Sequence, residues 1–207
     1  MRDVGILGGT FDPVHFGHLR PAVEVRAALG LEHLRLIPAR VSPLRDEPAA
    51  SGEQRLAMLR AAIGDAPDLV VDARELDRPG PSYTADTLAA LAAELPDARL
   101  HLVMGADTFA SFERWDRWRE ILARAHIVVA RRPGSPLQVP RALGDALVDD
   151  PARLREQAAG HVYVHGVTQL DISASAIRAA AAGGGDLRYL MPEATRRYIE
   201  EHRPYDP

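Results

Sequence analysis

Apolar residues recur along the chain in two rhythms. Short runs with apolar side chains on consecutive positions, at 4–7, 34–37, 69–71, 100–104, 127–130 and 162–164, read as six β-strands covered on both faces, as strands of a parallel sheet are. Between them, residues 19–29, 55–63, 85–95 and 115–123 carry apolar positions three and four apart, which predicts helices. Strand and helix in alternation predict an α/β fold: a doubly wound, Rossmann-like, mostly parallel sheet flanked by helices. Turn residues agree with these boundaries. Gly8 and Gly9 follow the first strand, Gly30 stands where a helix would end, and Pro38 and Pro133 fall just past strands. The stretch 134–160, with Pro136, Pro140 and Pro151, reads as a surface excursion, and a last helix is expected over 193–201. Residues 1–207 are therefore read as a single domain with a small C-terminal helical part from about 171 to 207.

Composition narrows the chemistry. All 25 basic side chains are arginine, and neither Lys nor Cys occurs. This excludes a Schiff base, a Walker A lysine, a thiol nucleophile, a disulfide and a thiolate metal site. Any phosphate chemistry must use Arg, His, backbone amides or a metal. A net charge of −4 with acids and arginines interspersed gives no polyanion-binding stripe, so nucleic acid is not expected as a partner. The longest apolar runs, such as 126–130, fall far short of the roughly 20 residues of a membrane-spanning helix. The N-terminus enters structured sequence at once, without room for a signal peptide, and a cytoplasmic location is expected. The sequence leaves the oligomeric state open.

The most informative segment is Gly8-Gly9-Thr10-Phe11-Asp12-Pro13-Val14-His15-Phe16-Gly17-His18. A strand that ends in two glycines and runs into a helix puts bare amides at the carboxyl end of a sheet, where α/β proteins bind nucleotides. His15 and His18, three apart at a helix entry, can lie on one face beside the positive end of the helix dipole. That arrangement suits a triphosphate. With no third ligand nearby the pair is a poor zinc site, and the absence of G-x-G-x-x-G counts against hydride transfer.

Residues 8–18 resemble the GGTFDPxHxGH signature of the nucleotidyltransferase superfamily, in the form found in bacterial nicotinate-nucleotide adenylyltransferases. The resemblance extends over nearly the whole chain. Ser82-Tyr83-Thr84-Ala85-Asp86-Thr87-Leu88 is similar to a SYTxDTL segment, and Gly105-Ala106-Asp107-Thr108-Phe109 to a GxDxF turn. Trp115-Asp116-Arg117-Trp118 and Arg131-Arg132-Pro133-Gly134 follow in the same order, and residues 171–178 resemble a DISxTxIR motif. The implied reaction joins nicotinate mononucleotide to the AMP part of ATP, giving deamido-NAD and pyrophosphate.

The resemblance assigns roles. His15, His18 and Arg178 would act on the ATP phosphates, with Gly8, Gly9, Thr10, Phe11, Gly17, Gly105, Asp107, Ser173 and Ser175 forming the rest of the ATP site. Ser173 suits the cap of a helix that carries Ser175 in its first turn and Arg178 one turn in. No dedicated metal cage is visible; Mg²⁺ would arrive on the ATP phosphates. On the acceptor side, Trp115 would stack on the pyridine ring, and the backbone amides of Thr84 and Asp116 would hold its carboxylate. The Asp116 side chain is a departure, because its charge beside a bound carboxylate is unfavourable unless it points away. Arg45 would clamp the acceptor phosphate, in a segment where Ser42 and Leu44 depart from the usual Pro and His. Trp118 reads as core, while Arg55 and Met58 match the resemblance without a derivable chemical role. Two rival acceptors are pantetheine phosphate and nicotinamide mononucleotide. The former goes with shorter chains lacking the 82–88 and 115–118 segments. A rival of another class is a noncatalytic nucleotide sensor, against which stand the intact His15, His18, Ser175 and Arg178.

Overall fold

The computed structural model describes residues 1–206 apart from 45, 133, 135, 136 and 169. The predicted Arg45 clamp, Pro133 and Pro136 thus lie outside the described residues. Seven strands form one sheet: β1 (Arg2–Gly9), β2 (His33–Pro38), β3 (Leu69–Val71), β4 (Ala98–Gly105), β5 (Ala125–Arg131), β6 (Leu147–Val148) and β7 (Val162–Gly166). Their order is β3-β2-β1-β4-β5-β7-β6. The pairings of β1 with β4, β4 with β5, β5 with β7 and β7 with β6 are all parallel. The strand order reverses between β1 and β4, which marks the switch point where such sheets bind ligands beyond their carboxyl ends. All six expected strands are present. The seventh, β6, is only two residues long, too short to leave an apolar rhythm.

The helices are α1 (Phe16–Leu29), α2 (Gly52–Ile63), α3 (Arg74–Asp77), α4 (Thr84–Glu94), α5 (Ala106–Phe109), α6 (Trp118–Arg124), α7 (Ala174–Ala182) and α8 (Glu193–His202). Local chemistry fixes several ends. Ser51 accepts from the Gln54 amide at 3.1 Å while the Gln54 side chain accepts from the Ser51 amide at 2.9 Å, a reciprocal cap that starts α2. Gly30, at φ +63°, closes α1 in the left-handed conformation glycine adopts without strain. The helix expected over 115–123 begins instead at Trp118. Arg117 stands at its N-cap with φ +50°, a left-handed kink that no helical pattern announces. Residues 134–160 hold two 3₁₀ turns, Arg141–Ala146 and Pro151–Arg155, with β6 between them. No described helix is long and apolar enough to cross a membrane.

The chain forms two compact units, each assembled from three stretches. The first contains 1–8, 21–35 and 83–169; its core is the sheet residues Val4, Ile6, Leu102, Ile127, Val128 and Val162 with Leu88 and Leu91 of α4. It also buries a histidine pair. His126 Nδ1 accepts from the His161 amide at 3.1 Å, which requires the neutral ring, and burial together with His101 pushes its pKa down to about 4. The second unit contains 9–20, 36–82 and 170–207, with Phe11, Val14, Met58, Leu59, Ile177 and Ile199 buried. The C-terminal helices α7 and α8 belong to this unit.

Candidate active site

In the second unit the chain leaves β1 and enters a short loop before α1. Phe11 adopts φ +50°, an uncommon conformation for a residue with a side chain, and its buried ring holds it there. Helix α1 begins at Phe16, one turn earlier than its apolar pattern suggested, so His18 sits inside the first turn. The His15 carbonyl accepts from the amides of His18 at 2.9 Å and Leu19 at 3.2 Å. The two imidazoles come together as their spacing predicted, with ring centroids 3.9 Å apart, and the Phe11 ring stands edge-on to His18 at 5.2 Å. Gly17 is required by this packing. A Cβ there would lie 2.8 Å from two atoms of the His15 ring and 3.2 Å from the Ile172 carbonyl, so any side chain would displace the histidine.

Helix α7 completes this half. Ser173 caps it as expected, accepting from the Ala176 amide at 3.2 Å, and Ser175 is exposed in its first turn. Arg178, half-buried, donates through Nη1 to the main-chain oxygen of Asp12 at 2.7 Å. The guanidinium is thereby fixed to the same loop that carries His15 and His18. Thr10 is held from the other side by Arg55, whose role the sequence did not reveal. Only 2 % exposed, Arg55 donates to the carbonyls of Thr10 at 2.8 Å, Ala39 at 2.7 Å, Ala50 at 3.2 Å and Arg40 at 3.3 Å. A buried arginine with four carbonyl acceptors is a backbone clamp, and carbonyl positions leave no trace in a sequence. Ser82 is a second unforeseen tether. Its hydroxyl accepts from the Arg40 amide at 2.9 Å and its amide donates to the Val41 carbonyl at 2.8 Å, fixing the loop that leads toward position 45.

The first unit holds Gly8, Thr84, Gly105, Asp107, Trp115 and Asp116, while Gly9 belongs to the second. Leu7 pairs with Val103, and β1 runs on through Gly8 and Gly9, which the sequence places just past it, while β4 ends at Gly105, so Gly8 and Gly105 lie at the carboxyl ends of adjacent strands. Asp107 follows on α5, exposed. Thr84 opens α4, where the first amides of a helix have no intrahelical acceptor. Trp115 is not helical: it ends a 3₁₀ turn, Phe112–Arg114, and lies half-buried with its ring 5.5 Å from that of Phe112. Trp118 also touches Phe112, edge-on at 6.2 Å, but is half-buried beneath the Arg119 guanidinium and is not the core residue expected. The Asp116 carboxylate accepts from Arg117 Nε at 2.7 Å, and the same arginine reaches Asp86 at 2.7 Å. Its charge is therefore engaged by a cation.

Amides and imidazoles at a helix start, with an arginine tied to the same loop, suit transfer of a nucleotide group. Residues 6–180 match the model of the cytidylyltransferase-like family, and this fold and site define the chain as a nucleotidyltransferase. A protein of Halorhodospira halophila named "Probable nicotinate-nucleotide adenylyltransferase" is 50 % identical over 205 residues, covering 97 % of this chain and 94 % of its own. One of the same name from Aeromonas salmonicida is 45 % identical over 98 % of this chain and 96 % of its own. The chain belongs to the nicotinate-nucleotide adenylyltransferase family. Its fold resembles that of a Plasmodium falciparum nicotinic acid mononucleotide adenylyltransferase complexed with NaAD, at a TM-score of 0.75 over 99 % of this chain and 98 % of that one and 15 % identity.

Proposed function

We infer that this protein transfers the adenylyl group of ATP to nicotinate mononucleotide, forming deamido-NAD and pyrophosphate. The observation that carries the reading is the 50 % identity to a named relative along nearly the whole chain, with His15, His18 and Arg178 all present. The acceptor phosphate is already ionised at neutral pH, so it can attack the α-phosphorus of ATP without a general base. Catalysis is then positioning plus stabilisation of charge on the transferring group and the departing pyrophosphate. His18 donates to the transferring phosphoryl oxygens and His15 to the neighbouring phosphates. Arg178, the Ser173 and Ser175 hydroxyls and the first amides of α7 take the β- and γ-phosphates.

Gly8, Gly9, Thr10, Phe11 and Gly17 shape the wall against which the nucleotide lies, and Gly105 and Asp107 serve its ribose. A divalent cation, Mg²⁺ by its preference for hard oxygen ligands, is carried by ATP and neutralises triphosphate charge. The exposed Asp107 carboxylate suits a contact to it through water. On the acceptor side Trp115 stacks on the pyridine ring, amides at Thr84 and Asp116 hold the carboxylate, and Arg45 takes the phosphate. The pathway is NAD biosynthesis, and the enzyme works in the cytoplasm.

The test is pyrophosphate release from ATP and Mg²⁺ with each acceptor. Release that requires nicotinate mononucleotide, and is much slower with nicotinamide mononucleotide or pantetheine phosphate, is expected. Equal or faster turnover with nicotinamide mononucleotide would sink the acceptor assignment, and no turnover with any acceptor would point to the sensor.

A further inference from the structure

Asp12 carries no role in the scheme above, yet its carboxylate accepts from two amides and a phenol. Its side chain is 4 % exposed. Oδ2 accepts from the Ala49 amide at 2.7 Å, and Oδ1 accepts from the Ala50 amide at 3.2 Å and from the Tyr205 phenol at 3.0 Å. Arg178 Nη1 lies 3.8 Å from Oδ2 while it donates to the Asp12 main-chain oxygen. One carboxylate thus joins the segment before α2, helix α7 and the end of the chain.

Tyr205 reaches this position through a specific turn. Helix α8 ends at Arg203, left-handed at φ +45°, whose amide closes on the Ile199 carbonyl at 2.9 Å. The Asp206 amide then donates to the Arg203 carbonyl at 3.2 Å, and Tyr205 is left buried with its hydroxyl on Asp12. The hydroxyl also lies 3.8 Å from Met58 Sδ, but it has one proton to give, and a carboxylate is the stronger acceptor. Burial, reinforced by the Asp12 charge, raises the phenol pKa, so Tyr205 stays a donor throughout the working range.

The 3.8 Å separation between Arg178 and Oδ2 is long for an ion pair. Two amides and a phenol already share the carboxylate, which limits its pull on the guanidinium. We propose that Tyr205 is a positioning residue for adenylyl transfer: by hydrogen-bonding Asp12 it keeps that carboxylate from closing on Arg178, leaving the guanidinium aimed at the phosphates. Removing the phenol takes one of three donors from the carboxylate while the Ala49 and Ala50 amides stay on it, so more of its charge is left to attract Arg178, and the arginine is drawn off the group whose charge it stabilises. The proposal rests on the reading of Arg178 as a phosphate ligand.

The test is Tyr205→Phe, which keeps the ring in its buried site. Expected is a fall in kcat of about tenfold, the scale of one charge-assisted hydrogen bond, with KM for nicotinate mononucleotide unchanged. In an Arg178→Lys background the same substitution should change kcat by less than about twofold, because the coupled group is already gone. A purely structural role predicts a lower unfolding midpoint with wild-type kcat per folded molecule, and that result overturns the proposal. So does an undiminished effect of Tyr205→Phe in the Arg178→Lys protein. If Tyr205→Phe does not fold, Asp12→Asn, which removes the charge facing Arg178, leaves nothing to draw the arginine off and should keep kcat within about twofold of wild type; a tenfold loss in the folded variant overturns the proposal equally. Wild-type protein that releases no pyrophosphate with nicotinate mononucleotide would instead refute the functional reading itself.

Discussion

Two arginines in this molecule do opposite kinds of work. In the second unit Arg55 is sealed from solvent and holds four main-chain carbonyls, so it dictates the course of the backbone at Thr10, Ala39, Arg40 and Ala50. In the first unit Arg117 is exposed, bridges Asp86 and Asp116 by side-chain contacts, and has the Tyr83 ring 5.9 Å from its guanidinium carbon. A buried charge whose partners are removed has no water to replace them, whereas an exposed one exchanges its partners for solvent at little cost. The loop that carries His15 is thus built on contacts that cannot be loosened singly. The aromatic region around Trp115 is built on packing trimmed by surface ion pairs.

Substitutions on the two sides should separate accordingly. The largest effect belongs to the histidine pair: His18→Ala should lower kcat by about 10²- to 10³-fold with an unchanged unfolding midpoint. Wild-type turnover would remove His18 from its assigned role. Next comes the clamp. Arg55→Met leaves four carbonyls without their donor and should cost about 3 kcal/mol of stability, read as a shifted denaturant midpoint. A loss below about 1 kcal/mol would mean water reaches those carbonyls and the contrast between the two arginines is overstated. Trp115→Ala should raise KM for the mononucleotide by about tenfold and leave that for ATP unchanged, as expected for one stacked base. An effect confined to ATP would reverse the subsites. The smallest change is expected from Arg117→Ala, a denaturant midpoint indistinguishable from wild type, and at high salt no difference at all.

The same contrast governs what could be read in the sequence. Strands β1, β4 and β5 are covered on both faces, so burial writes itself as unbroken apolar runs, and their existence was legible to within two residues at each end. The histidine pair was legible because a three-residue spacing at a helix entry constrains both rings. Backbone conformation and acceptor geometry were not. The left-handed Arg117 places Trp115 outside the helix its apolar spacing implied. Arg55 looked like any helical arginine because its four partners are carbonyls, which every residue possesses. Tyr205 meets Asp12 across 193 residues, a pairing that no local pattern encodes.

The central claim is that the protein moves the adenylyl group in a single in-line displacement, with His15 and His18 as donors and no enzyme nucleophile. A chain without Lys or Cys still has these two imidazoles, and either could in principle be adenylylated. The direct measurement is the stereochemical course of transfer from ATP bearing a chiral α-phosphorothioate to nicotinate mononucleotide. The account predicts inversion at phosphorus. Retention, the mark of two displacements through a covalent enzyme intermediate, would contradict it.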